Sequence, residues 1–383
     1  MKKILKVIII NLVIFFSILG FVLLIPPLSY FLYNSSQKLF LSDDINLEDK
    51  RFTLPNYREY KWAKEYFVEE NNLMTSYQDY TIWKFDDYEG RYINIINGKR
   101  KTINLENANK DTFISFFGGS TIFGTGADDS NTIPSLFAKK SNYYTNNYGN
   151  LNYVSRQSYE KLFNLYNTES NINNLIIFYD GINDVTNFCR SELGNDLNKT
   201  VLEKLIQDEM DLKTRPEEKY SFKQTFFQIS HFIKSLNRRY QNLNYDINNE
   251  SQSLYYDCHE NETKAINVAK NLVNLWKKAD LLASAHDDTF VAILQPVIFL
   301  GNSKSDHLNL ATNDLIELRK QFLAVYPLIL KYVKDENINF YNFTNVFNEY
   351  DDTHIYIDYC HVSPNGNYIV VDELIDKISN LKK

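Results

Sequence analysis

Glycine is scarce in this 383-residue chain, with 12 residues, and cysteine scarcer, with 3. Three cysteines allow at most one disulfide, and their spacing matches no zinc-binding pattern, so a cysteine-built metal module is excluded. Also absent is a basic stripe interleaved with aromatics. With a formal net charge of -7, nucleic acid is not the expected partner. Acidic runs are short, which excludes a charged interaction tail. No internal repeat and no low-complexity linker breaks the chain. The hydrophobic fraction of 44% excludes bulk disorder, and the length suffices for one large or two modest domains.

What the chain does have begins at its N-terminus. Lys2, Lys3 and Lys6 precede an apolar run from Val7 to Ile25, interrupted by Asn11, Ser17 and Gly20. Nineteen residues at a helical rise reach roughly 28 Å, close to the hydrocarbon thickness of a bilayer. Pro26 and Pro27 close the run, and Tyr30, Phe31 and Tyr33 suit an interface. A cleaved signal peptide is the rival reading. Its apolar core is usually about 7–15 residues and ends in a small-residue cleavage site, and this stretch lacks one. Residues 1–33 are therefore expected to form a cytoplasmic tip and a single transmembrane helix. The excess of lysine before the helix puts the N-terminus in the cytoplasm and the rest of the chain outside.

Residues 34–110 are expected to form an extracytoplasmic extension. Within it, Ile82 to Asn104 carries a hairpin signal with Asn97-Gly98 as the turn. The main domain is expected over 111–383. Apolar runs of strand type occur at Phe113–Phe117, Leu175–Tyr179 and Phe290–Leu294, with weaker candidates ending at Tyr148 and spanning Asn337–Asn342. Helical patterns separate them at Ile133–Lys140, Gln157–Tyr166, 262–284, 313–333 and Asn367–Leu381. Strands alternating with helices argue for a parallel sheet covered on both faces, with ligands at the carboxyl ends of the strands. A charged, Asn-rich helical insertion interrupts the alternation at about 190–260. Cys189 and Cys258 flank it and are expected to pair, leaving Cys360 free; three reduced cysteines is the alternative.

Four segments carry candidate chemistry. Phe117-Gly118-Gly119-Ser120-Thr121 follows the first strand, where a serine on a tight turn presents its hydroxyl at the sheet edge. A plain helix N-cap would look the same. It is not the G-x-S-x-G elbow, because Ile122 occupies the last position. Asn147-Tyr148-Gly149 follows the second strand, where a glycine N–H is open to an anion; most such glycines are simple turns. Asp180-Gly181-Ile182-Asn183-Asp184 offers a side-chain amide from Asn183, with Asp184 expected to hold the loop; an Asx turn reads alike. Asp358-Tyr359-Cys360-His361 places a carboxylate three residues before an imidazole, as a general base needs, although isolated pairs of this kind are more often structural. His231, His259, His286, His307 and His354 lack a carboxylate at the right offset beside a sheet-end loop, and only His354 lies close to this loop.

In this order and context the four segments resemble the SGNH (GDSL-like) hydrolase superfamily, its four letters being Ser120, Gly149, Asn183 and His361. The resemblance spans about 111–383. Gly118-Gly119-Ser120-Thr121 together with Asp180-Gly181-Ile182-Asn183-Asp184-Val185 is more closely similar to membrane-anchored SGNH proteins of bacterial surface-polysaccharide systems. The superfamily's Gly-Asp-Ser is Gly-Gly-Ser here, so residue 119 supplies no carboxylate. The resemblance implies a three-layer α/β/α flavodoxin-like parallel sheet. It also implies an acyl-serine mechanism with Ser120, Asp358 and His361 as catalytic residues. The oxyanion is then held by the N–H groups of Ser120 and Gly149 and by the Asn183 amide, with no metal or diffusible cofactor needed. An esterase or O-acyltransferase acting on envelope glycan is the leading reading. A catalytically silent binding or assembly module, and a membrane-proximal lipase or lysophospholipase, are the alternatives.

Overall fold

A computed structural model of the protein describes residues 49–168, 174–204, 206–207 and 255–379. The expected anchor over 1–33 and most of the insertion over about 190–260 lie outside the described residues. Among the described residues, no helix is long and apolar enough to cross a membrane. The chain divides into two units. Asp49–Val201 with Ser253–Lys383 is the one described below; the other, Met1–Glu48 with Leu202–Gln252, lies almost wholly outside the described residues.

The unit opens with helix α1 (Ala63–Asn71) and an antiparallel ribbon of β1 (Thr75–Gln78) and β2 (Ile82–Phe85). Three short strands follow: β3 (Tyr88–Glu89), β4 (Asn94–Ile96) and β5 (Lys99–Arg100). Asn97 and Gly98 both take positive φ, 53° and 70°, between β4 and β5, which is the backbone a two-residue hairpin turn requires. Then come β6 (Asn109–Gly118), α2 (Ser120–Phe123), α3 (Ile133–Ser141), β7 (Tyr143–Asn147), α4 (Ser155–Thr168), β8 (Leu175–Asp180) and α5 (Ile182–Phe188). Beyond the insertion lie α6 (Glu262–Ser284), β9 (Thr289–Leu294), α7 (Asn313–Val333), β10 (Phe340–Asn342) and α8 (Pro364–Ser379).

Eight of these strands form one sheet in the order β10-β9-β8-β6-β7-β5-β4-β3. The five from β10 to β7 are parallel; numbered by their own sequence, their order is 2-1-3-4-5, the flavodoxin-like arrangement. The expectation of an all-parallel sheet needs one correction. The N-terminal extension adds β5, β4 and β3 antiparallel at the β7 edge, through Arg100 opposite Asn147. That edge would otherwise present unpaired backbone groups, and three short strands cover it.

Alternation along the central strands builds two cores. Phe117 and Phe178 face Leu162 of α4, Trp276 of α6 and Phe322 of α7. Phe116 and Ile177, one residue away, face Phe137 of α3 and Leu374 of α8. All four strand side chains are fully buried, each contributing about 1.5–3 kcal/mol. The helices read as amphipathic for the same reason: α6 buries Val268, Leu272, Trp276, Ala279 and Ala283 at steps of three and four, and starts where the Asn261 side chain accepts the Lys264 N–H.

Cys189 and Cys258 form a disulfide, as expected, and Cys360 is a buried free thiol. The disulfide joins the end of α5 to the segment leading into α6, and Asp257 N–H donating to Cys189 O reinforces the junction. The two ends of the insertion are thereby held together.

The extension also supports the loops that follow the strands. The Tyr57 hydroxyl donates to Gly126 O and the Asn56 amide to His354 O and Tyr356 O. The Arg100 guanidinium, fully buried, pairs with Asp129 at 3.0 Å and donates to the carbonyls of Phe123, Gly124 and Ala127. The first two of those carbonyls end the short helix α2, so a fixed cation satisfies acceptors that the helix itself leaves open.

Candidate active site

The carboxyl ends of β6, β7 and β8 open where the direction of strand order reverses, and the candidate residues gather there. Ser120 is the first residue of α2, directly after Gly119. A Cβ at Gly119 would stand 2.3 Å from Asn183 Nδ2, so only glycine lets the serine turn and the Asn183 amide approach each other. Ser120 is buried, at 7% exposure.

Ser120 Oγ lies 2.6 Å from His361 Nε2, and His361 Nδ1 lies 2.6 Å from Asp358 Oδ2. The remaining oxygen of Asp358 accepts the backbone N–H groups of Cys360 at 2.8 Å and His361 at 2.7 Å. An aspartate oxygen can only accept, so His361 carries its proton on Nδ1 and turns a lone pair on Nε2 toward the serine hydroxyl. Burial works to raise the Asp358 pKa, but the neighbouring imidazolium and the hydrogen bonds from His361 and Cys360 hold it down to about 2. Burial likewise works to lower the His361 pKa; the Asp358 carboxylate outweighs it and holds that pKa well above its ordinary value. Cys360 Sγ sits 3.4 Å from His361 Nδ1, but burial pushes its thiol up to about 11, so it stays neutral and is no competing nucleophile.

Asn183, on the first turn of α5, donates from Nδ2 to Tyr153 O at 2.8 Å. Asp184, as expected, holds the loop: it accepts from Ser155 Oγ at 2.5 Å and Ser155 N–H at 3.2 Å, tying the end of the β7 loop to α5. Burial raises the Asp184 pKa to about 6 against the pull of those hydrogen bonds.

Gly149 is corrected. Its N–H donates to Asn147 Oδ1 at 2.9 Å, so it has no proton to offer an anion. A Cβ there would strike Phe123 N at 2.3 Å and the Ile122 carbonyl carbon at 2.7 Å, so this glycine serves close packing against α2. The residue that was missed is Asn152. It takes φ of 56°, and its backbone N–H has no hydrogen-bond partner among the described residues. Its side chain accepts from Asn187 Nδ2, and the next carbonyl, Tyr153 O, lies 3.3 Å from the position a Gly119 Cβ would take. The loop is thus tied to α5 just after that amide, through Asn152 Oδ1 and Tyr153 O. Its only signal in the sequence is an asparagine, which tolerates left-handed backbone.

No family model matches the chain, and no curated protein matches it. Solved structures do match. One is a lipolytic protein of the G-D-S-L family from Veillonella parvula, 13% identical over 69% of this chain and 97% of that one, with a TM-score of 0.39. Another is a GDSL-like lipase from Bacteroides thetaiotaomicron, 12% identical over 72% of this chain and 92% of that one, with a TM-score of 0.36. A third is a catalytic mutant of an acetylxylan esterase from Geobacillus stearothermophilus, 12% identical over 73% of this chain and 96% of that one, with a TM-score of 0.34. Likenesses this loose carry no inference about chemistry, which rests on the geometry of Ser120, His361 and Asp358.

Proposed function

We propose that this chain is a serine-dependent ester hydrolase of the SGNH type. The observation that carries the reading is the continuous chain Ser120 Oγ–His361 Nε2, His361 Nδ1–Asp358 Oδ2, each contact 2.6 Å, at the mouth of a parallel sheet. Such an arrangement holds one imidazole between the hydroxyl and a carboxylate, which a merely structural serine does not need.

In the mechanism, Ser120 Oγ attacks the ester carbonyl carbon while its proton passes to His361 Nε2. Asp358 accepts the Nδ1–H hydrogen bond and steadies the imidazolium without taking that proton. The tetrahedral oxyanion is held by the N–H of Ser120, the N–H of Asn152 and the side-chain amide of Asn183, with Asn152 in the role first given to Gly149. His361 then gives its proton to the departing alkoxide. A water, deprotonated in turn by His361, attacks the acyl-serine, and His361 returns that proton to Ser120 Oγ as the acid leaves. A sugar hydroxyl in place of that water makes the same site an O-acyltransferase.

We assign the substrate to acylated envelope glycan and the domain to the outer side of a membrane, held by the helix expected over 1–33. The Cys189–Cys258 disulfide supports that side, because such bonds persist in oxidising compartments. Protease treatment of intact cells checks the topology: a fully protected C-terminus overturns it. The chemistry is checked with a fluorophosphonate probe on the full-length chain. Wild type labels and Ser120→Ala does not. A folded wild type that stays unlabelled overturns the hydrolase reading in favour of a silent scaffold. Products formed from an acetylated oligosaccharide, with and without an acceptor glycan, then separate hydrolysis from transfer.

A further inference from the structure

A second cluster of chemistry-bearing side chains joins the turn at Asp306 and His307 to His354, a few residues before the catalytic loop. Asp306, His307 and His354 each present one ligand atom within 4.8 Å of the other two. His354 Nε2 meets Asp306 Oδ1 at 2.8 Å, and the two imidazole rings are 4.3 Å apart, tilted by 59°. His307 Nε2 lies 2.8 Å from Tyr356 O. A carbonyl oxygen can only accept, so Nε2 bears the proton and Nδ1 holds a lone pair. That Nδ1 is buried and has no hydrogen-bond partner among the described residues. A buried acceptor without a partner is costly, and an ordinary surface ion pair between His354 and Asp306 leaves this atom unexplained.

We infer that Asp306, His307 and His354 form a binding site for a borderline divalent cation of the zinc class, apart from the serine chemistry. Two imidazoles and a carboxylate are the ligand types such ions select, and water completes a four-coordinate shell. His307 is already arranged as a ligand, with one nitrogen tied to a backbone carbonyl and the other left open. Burial lowers the His307 pKa, which favours the neutral ring a metal needs. Tetrahedral ligands about 2.1 Å from zinc stand roughly 3.4 Å apart, so the 2.8 Å contact of His354 with Asp306 must open slightly and any pair near the 4.8 Å limit must close by about an ångström. Asp306 can move that far, because its side chain is 69% exposed. On binding, the proton that His354 Nε2 shares with Asp306 passes through solvent to Nδ1. Lys304, bridged to His354 and close to both Asp306 and His307, opposes any cation, and ions without affinity for imidazole have little to offset it. Hard magnesium and calcium are therefore poor candidates.

The test is calorimetric titration of the metal-stripped full-length chain with Zn²⁺. One saturable site per chain is expected, weakened by roughly tenfold or more in each of His307→Gln, His354→Gln and Asp306→Asn, and unchanged in His286→Gln. Asp306→Asn lies on the surface and keeps the test open if a histidine variant fails to fold. Absence of saturable binding overturns the assignment. So does equal affinity in Asp306→Asn and wild type. Binding lost in His361→Ala but kept in His354→Gln moves the ion to the serine site and also overturns it. None of these readouts depends on hydrolysis.

Discussion

Replacing Asp358 by asparagine tests the proposed chemistry most sharply, because the structure dictates how the new amide must sit. One oxygen of Asp358 accepts two backbone N–H groups, at 2.8 and 2.7 Å. The oxygen of the introduced amide has to take that place, since an NH₂ facing two N–H donors would leave all of them unpaired. The NH₂ is then directed at His361 Nδ1, where the carboxylate oxygen stood at 2.6 Å. A donor there forces the imidazole proton onto Nε2, facing Ser120, and the ring can no longer accept the serine proton. The expected loss is about 10⁴ in kcat, or about 5 kcal/mol of transition-state stabilisation. Hydrolysis of a p-nitrophenyl ester over a range of pH is the assay. In wild type the imidazole must be neutral to act as a base, and its pKa is raised in the folded protein. Activity should therefore climb with pH through a limb above about 6.5, and the variant's residual limb should shift down as the carboxylate is lost. The stability sign is the opposite: the His361 contribution is full below about 6.5 and lost as pH rises through the raised pKa, while that of Asp358 is lost as pH falls toward about 2. A variant that keeps activity within tenfold of wild type, with the limb in place, refutes the reasoning.

Gly119→Ala should cost about 10²–10³ in kcat, because its Cβ would stand 2.3 Å from Asn183 Nδ2 and push that donor away; an unchanged rate removes Asn183 from the oxyanion site. Cys189→Ala should lower stability by up to about 4 kcal/mol, the loop-closure figure for a separation of 69 residues, measured by urea denaturation under non-reducing conditions. Asp129→Ala strands the Arg100 guanidinium, whose side chain is fully buried, and should cost about 3–5 kcal/mol in the same assay, where a loss below about 1 kcal/mol would show that the carbonyls alone hold the cation.

Much of the fold was legible in the chain. The buried strands at Leu175–Asp180 and Thr289–Leu294 announce themselves as short apolar runs, because strands covered on both faces need no alternation. Helices α6 and α7 follow from their apolar spacing, and the Asn97-Gly98 turn from backbone that few other pairs adopt. The candidate site was legible in its side chains, since Ser120, Asn183, Asp358 and His361 are residue types whose chemistry travels with their names. Strands β3 and β5 have two residues each, too few to show a period, and their place in the sheet depends on partners distant in sequence. The same holds for Arg100, whose burial is visible only once Asp129 and four carbonyls surround it. The identities of Gly149 and Asn152 could not say which of them offers its amide. Every residue but proline carries an N–H, and whether it faces an anion or a neighbour's side chain is set by hydrogen bonds that exist only in the folded chain.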